Sequence, residues 1–441
     1  MMRRMGEEWN LVRGLVVAGL LAVTAVACDE TDPMDPGPTE NIVELAAGSA
    51  DLETLVTAVQ AAGLDQDLQG DGPFTVFAPT DGSFESLPSG LVSALLESGN
   101  ADVLQELLLG HVVSGRVEAA DLSDGQTVTT LSGDELTVSI DGGTVSIGGA
   151  VVQTADVQAT NGVVHIIGGV LTQGLNVVER ARITPELSTL VTAVSEGDLV
   201  STLEGAGPFT VFAPTNSAFG ALDAAALDRL LADENQALLQ KILTYHVIPG
   251  AVRSSDLTDD ADVATAEGST VRIDLDNGAT VNGVAILTTD IEVENGVIHV
   301  IDGVLLEHLD IVDKAILNGF TTLVDAVQTA GLESALRDGS ASLTVFAPTE
   351  AAFDAITVPS DPQTLESILL YHVIGTEAYA SSLSDGQVLT TLQGGDITVQ
   401  ISNGTVMLQG AQNAATVVAT DVPASNGVIH AIDAVLLPPS N

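Results

Sequence analysis

Lysine is nearly missing from this chain: Lys241 and Lys314 are the only two in 441 residues. All Lys and Arg together number 12 against 60 Asp and Glu, a formal net charge of -48. That balance argues against nucleic acid as a partner, because a polyanion is held by clustered cations that displace its counterions. Aromatic residues make up 3% of the chain, so its cores must be filled by Val, Leu, Ile and Ala, which the 45% hydrophobic content amply allows. A lone cysteine, Cys28, rules out an internal disulfide. No apolar run reaches the roughly 20 residues a membrane-spanning helix needs.

The longest apolar run, 15–26, follows Arg3, Arg4 and Arg13. A basic start and a short apolar stretch read as a signal peptide, here 1–27. The run ends Ala25-Val26-Ala27-Cys28, which resembles the lipobox of bacterial lipoproteins, and that resemblance implies lipidation at Cys28 and a membrane anchor. An acidic, Pro-rich tether completes 28–40. The charge has two readings. One is a protein adapted to strong salt, where the Debye length shrinks to about 3 Å at 1 M and self-repulsion is screened. The other is an acidic exported surface.

Internal repetition organises the rest. TVFAPT occurs at 75–80, 210–215 and 344–349, and Asn-Gly-Val-(Val/Ile)-His ends at His165, His299 and His430. A third marker, His-Val followed by an apolar residue, starts at His111, His246 and His372. A period of about 130 residues means globular domains in series, not a solenoid of short units. The copies are expected at 41–177, 178–312 and 313–438.

In the second copy, Thr184-Pro185-Glu186 opens a helix through Leu187, Leu190, Val191 and Val194, and a short strand follows near Phe209. Thr215-Asn216 offers a cap for the next helix, with Asp81 and Glu350 at the Asn216 position in the other copies. From Val252 onward the pattern turns to short Val, Ile and Thr runs punctuated by Asn-Gly turns. Helices first and strands later predict an α+β domain, a β-sheet or sandwich wedge with helices packed to one side.

These residues resemble the fasciclin-type domain family. The match rests on TVFAPT with its downstream Phe84, Phe219 and Phe353, on Tyr245-His246-Val247-Ile248 and Tyr371-His372-Val373-Ile374, and on the Asn-Gly-Val-x-His segments. The first copy departs from it with Gly110 before His111. The third has 28 residues from Thr344 to His372 where the others have 36, which predicts connecting helices shorter by about two turns. The resemblance implies an exported adhesion protein, at the cell surface or in the periplasm, that meets a protein or polysaccharide partner. It also implies candidate partner contacts at Tyr245 and His246, Tyr371 and His372, Asp290 and Ile291, and, with valine for isoleucine, Asp421 and Val422.

Catalytic and metal readings have little footing. The two repeated histidines of each copy stand 54, 53 and 58 residues apart with no cysteine nearby, whereas zinc wants three or four converging ligands. His111, His165, His299 and His430 therefore read as structural histidines bonded to backbone. No Gly-x-Ser-x-Gly elbow and no phosphate-cradling loop is present. The chain reads as non-enzymatic and free of cofactor. The rival functions are a pocket for a lipid or small metabolite, and an envelope spacer.

Overall fold

The computed structural model describes residues 37–276 and 278–439; the predicted signal peptide, Cys28 and the tether up to residue 36 lie outside them. Three seven-stranded sheets follow one another along the chain. In the first copy the strands are β1 (Phe74–Pro79), β2 (Val112–Ser114), β3 (Thr127–Thr129), β4 (Glu135–Asp141), β5 (Thr144–Ile147), β6 (Ala150–Ala159) and β7 (Gly162–Ile167). Their order in the sheet is β2-β1-β7-β6-β5-β4-β3. The antiparallel run from β3 to β7 forms from consecutive short strands, as the Asn-Gly and Gly-rich turns dictate. The exception is β1, which lies parallel to β7, with Phe74 opposite Gly162 and Phe77 opposite His165. A bridge between Val113 and Thr130 brings the two edges together, so the sheet curls on itself and few edge groups stay open.

Curling creates two cores per copy. Helices pack on one face of β1 and β7, burying Leu52, Leu91, Leu95 and Leu104. Phe77, Val138, Ile147 and Ile167 fill the inside of the curl. Aliphatic side chains dominate both, and each of the other copies repeats the division.

The TVFAPT segment ends in a double cap. Thr80, Thr215 and Thr349 each cap the short helix that follows, accepting from Ser83, Ala218 and Ala352. The next residue turns away from that helix. Asp81 accepts from Glu53 and Thr54, Asn216 from Thr189, and Glu350 from Thr322, so each serves the N-terminus of an earlier helix about 28 residues back. Thr184 makes no cap bond of its own; Pro185–Leu187 is a single 3-10 turn leading into helix Ser188–Glu196. In the third copy the shortening removes a whole helix. Leu91–Leu95 in the first copy and Ala224–Leu230 in the second have no counterpart between Glu350–Asp354 and Pro362–Leu370.

Candidate functional site

The Asn-Gly-Val-x-His segment carries the densest polar network. The side chain of Asn161 accepts from Ile42 N–H at 3.0 Å and donates to the carbonyls of Leu68 and Gly70 at 2.8 and 2.9 Å. Asn295 joins Val177, Leu203 and Gly205 in the same way, and Asn426 joins Ile311, Leu336 and Asp338. Each asparagine thus ties the first helix of its copy to the loop before the first strand. The glycine after it is needed for close approach: a Cβ at Gly162 or Gly296 would lie 2.0 Å from the carbonyl oxygen of Phe74 or Phe209.

His165 and His430 stack against Phe77 and Phe346, and His299 packs tilted against Phe212, with ring centres 5.6 to 5.7 Å apart. In each, Nδ1 accepts a backbone N–H, from Asp156, Asp290 or Asp421 at 3.2 to 3.3 Å. Nε2–H donates to the carbonyl of Val117, Val252 or Ala378. Those partners fix the tautomer. The three aspartates sit in left-handed backbone, φ 57 to 59°, at a bulge in the long strand before the turn. Their carboxylates accept from Ala119, Ser254 and Ala380. Asp290 also takes the Ser254 hydroxyl.

His111, His246 and His372 use the opposite tautomer. Nδ1–H donates to the carbonyl of Leu107, Ile242 or Ile368 at 2.8 Å, while Nε2 accepts from Leu171, Leu305 or Leu436. Full burial pushes all three down to about 4, so they stay neutral at neutral pH.

Tyr245 and Tyr371 lie inside the fold beside these histidines, 2% and 0% exposed. The Tyr245 hydroxyl donates to Thr270 O and accepts from Asn282; that of Tyr371 donates to Asp396 O and accepts from Ala411. In the first copy the same space holds Ser132 and Asp134, about 3.5 Å from where a Gly110 Cβ would be.

Of the candidate contacts, then, Tyr245, His246, Tyr371 and His372 are buried, while Asp290, Ile291, Asp421 and Val422 are half-buried on the bulge. The two groups meet through Phe212 and Phe346, whose N–H groups donate to His246 and His372 and whose rings face His299 and His430. Sequence reasoning passed over Leu287 and Val418, each 56% exposed and three residues before Asp290 and Asp421. An Ile-Leu pair breaking the alternation at Ile286-Leu287 was the available signal.

The seventh histidine also went unnoticed, because it lies outside the repeated motifs. His308 is 8% exposed, stacks on Tyr245 with ring centres 3.7 Å apart, and is pushed down to about 3 by burial. Neither ring nitrogen has a protein partner. It borders a polar cleft of about 640 Å³, shared with Arg272, Asn282, Glu307 and, from the third copy, Ser425. Among the described residues no cluster of three or more His, Cys, Asp or Glu is placed to hold a metal ion, and no helix is long and apolar enough to cross a membrane.

Fold and network define a class: α+β modules in series, each closed by pairing its first strand with its last and locked by a buried Asn and two buried His. The family model described as fasciclin domain matches residues 50–173, 185–307 and 318–438. The chain belongs to the fasciclin domain family. It is 31% identical to human periostin over 363 residues, 80% of this chain and 42% of that protein. The pig transforming growth factor-beta-induced protein ig-h3 is 31% identical over 416 residues, 91% of this chain and 58% of that one. The chain therefore spans about half the length of these relatives. A Synechocystis protein, sll1483, is 47% identical over 130 residues, 30% of this chain and 72% of that protein. Among solved structures, a FAS1 domain pair from the insect cell adhesion molecule fasciclin I aligns with 22% identity and a TM-score of 0.31, over 58% of this chain and 96% of that one.

Proposed function

We propose that the chain is an exported, non-enzymatic adhesion protein, lipidated at Cys28, that holds three fasciclin domains (41–177, 178–312, 313–438) away from a membrane. It contacts a protein or polysaccharide surface through the bulged strand of the second and third copies. The observation that carries this reading is the bulge itself. It presents Asp290 and Ile291 beside exposed Leu287, and Asp421 and Val422 beside exposed Val418, on modules linked in one chain. Tyr245, His246, Tyr371 and His372 act beneath as positioning residues, through Phe212 and Phe346. Linked modules raise the effective concentration of each weak contact.

Full-length protein carrying Leu287→Ser and Val418→Ser, both surface changes, tests it. Retention on the envelope or matrix fraction of the source cells should fall by at least about tenfold, the size of a modest interface hot spot, with an unchanged melting temperature. Retention equal to wild type rejects the bulge as the contact.

The cleft beside His308 supports a second reading, a small hydroxyl-bearing ligand seated between the second and third copies. A neutral imidazole both donates and accepts, as a hydroxyl does. Native mass spectrometry of the purified full chain should then show a bound mass that His308→Ala removes.

A further inference from the structure

The two junctions between copies are built from equivalent positions, two of which hold cations in one junction and carboxylates in the other. Between the second and third copies, Lys241 lies 2.5 Å from Asp313 and 3.5 Å from Asp310, the residues that open the third copy's first helix, Ile311–Leu317. Arg337 reaches Asp313 at 2.5 Å and Asp310 at 2.9 Å. Arg229, from the second copy, donates twice to the carbonyl of Leu317 at the end of that helix. One of the chain's two lysines thus serves this junction.

Between the first and second copies the corresponding helix is Val177–Arg182. Counting from the shared Asn and Tyr-His landmarks, Lys241 becomes Glu106, Asp313 becomes Glu179, Arg337 becomes Glu204 and Ser425 becomes Glu294. The backbone link is kept: Glu294 donates to Leu175 O as Ser425 does to Leu309 O. Glu106, Glu294 and Asp134 border a cleft of about 640 Å³ here. The cations nearby are few. Arg182 is engaged by Asp102 and Gly99 of the first copy, and Arg180 is buried with Nε and one terminal nitrogen unpartnered.

We propose that the junction between the first and second copies is a proton-responsive hinge, loosened at neutral pH by mutual repulsion of Glu106, Glu179, Glu204 and Glu294, whereas the junction between the second and third copies is locked by ion pairs. Burial pushes Glu106 and Glu179 upward, with Asp134 and Glu294 adding to the first, and Glu106, Glu204 and Glu294 to the second. A carboxyl raised in the closed form means that closing takes up protons, so the hinge tightens as pH falls toward the carboxylate range. Arg182 works against loosening through its pair with Asp102, which keeps the two copies tethered while the hinge opens, and through its attraction to Glu179 and Glu204; the Asn176 N–H, bonded to Glu179, also favours that carboxylate's charged form. The device does not depend on which partner the chain binds.

Hydrogen exchange of the full chain, corrected for intrinsic rates, tests this at about pH 7.5 and about pH 5 in salt of about 0.15 M. Protection of the Glu294 amide, which donates across the first junction to Leu175 O, should rise about tenfold on acidification, while that of the Ser425 amide, its counterpart in the second junction, stays unchanged. The variant E106K/E204R, which copies Lys241 and Arg337 into the first junction, should be protected at both pH values. Glu106→Gln, which removes a charge and adds none, should fall between and carries the test if the double variant misfolds. Equal protection at the two pH values in the wild type overturns the proposal. So does a change that persists in the charge-copied variant, or in Glu106→Gln at its full size.

Discussion

Asn295 shows what a single side chain does in this fold. Its amide accepts one buried N–H and satisfies two carbonyls, joining segments 90 or more residues apart. Asn295→Ala leaves those three groups without partners at about 1–3 kcal/mol each, so the second copy should lose about 3–9 kcal/mol in urea unfolding. Asn295→Asp should be no rescue, because a carboxylate accepts but cannot donate to Leu203 and Gly205. From the sequence, Asn-Gly reads as turn chemistry, with glycine chosen for positive φ; Gly162 and Gly296 are not at positive φ, and the glycine is required instead by the close approach of the neighbouring strand. The turn is the local half of the asparagine's role. The other half, a clamp on distant loops, was not legible, since its partners are set by tertiary packing. The same limit applies to Tyr245 and Tyr371: their motif is visible in the sequence, but that they lie almost wholly inside the fold depends on strands some 25 residues onward.

At the scale of elements, the periodicity of the sequence carries the order of helices and strands, because each is decided by neighbours within a turn or a hairpin. The pairing of β1 with β7 is a non-local choice and leaves no periodic trace. The cap after TVFAPT is a smaller instance. A Thr followed by Asp, Asn or Glu announces a helix start, yet only the Thr serves the helix it precedes; the next side chain reaches back to the earlier one. That geometry makes a directional prediction. Asn216→Ala should cost about 1 kcal/mol in thermal unfolding, the usual loss for a removed cap. Asn216→Asp should gain nothing, because the roughly 0.3–1 kcal/mol offered by the helix dipole is offset by loss of the amide's donation to Pro185 O, a bond that Asp81 in the first copy does not make.

For the whole molecule, acidification sets two effects against each other. His111, His246 and His372 titrate at about 4 in the fold against about 6.5 unfolded, so between those values the unfolded chain binds more protons and the fold loses stability as pH falls. At pH 5 the loss is about 2 kcal/mol for the first and third copies and about twice that for the second, where His308, pushed down to about 3, adds an equal share at about 1.4 kcal/mol per unit. Over the same interval protons begin to neutralise the 60 acidic side chains and relieve the repulsion of a chain at -48, which favours the compact state. Salt separates the two. In molar NaCl the Debye length is about 3 Å, repulsion is already screened, and the histidines remain. The melting temperature should therefore fall clearly between pH 7 and 5 in about 1 M NaCl, and fall less or rise at low salt. At pH 7 it should rise with salt if the surface is adapted to brine. A pH 7 melting temperature indifferent to salt would leave the acidic surface as a matter of solubility alone, and an equal pH slope at both salt levels would remove repulsion from the account.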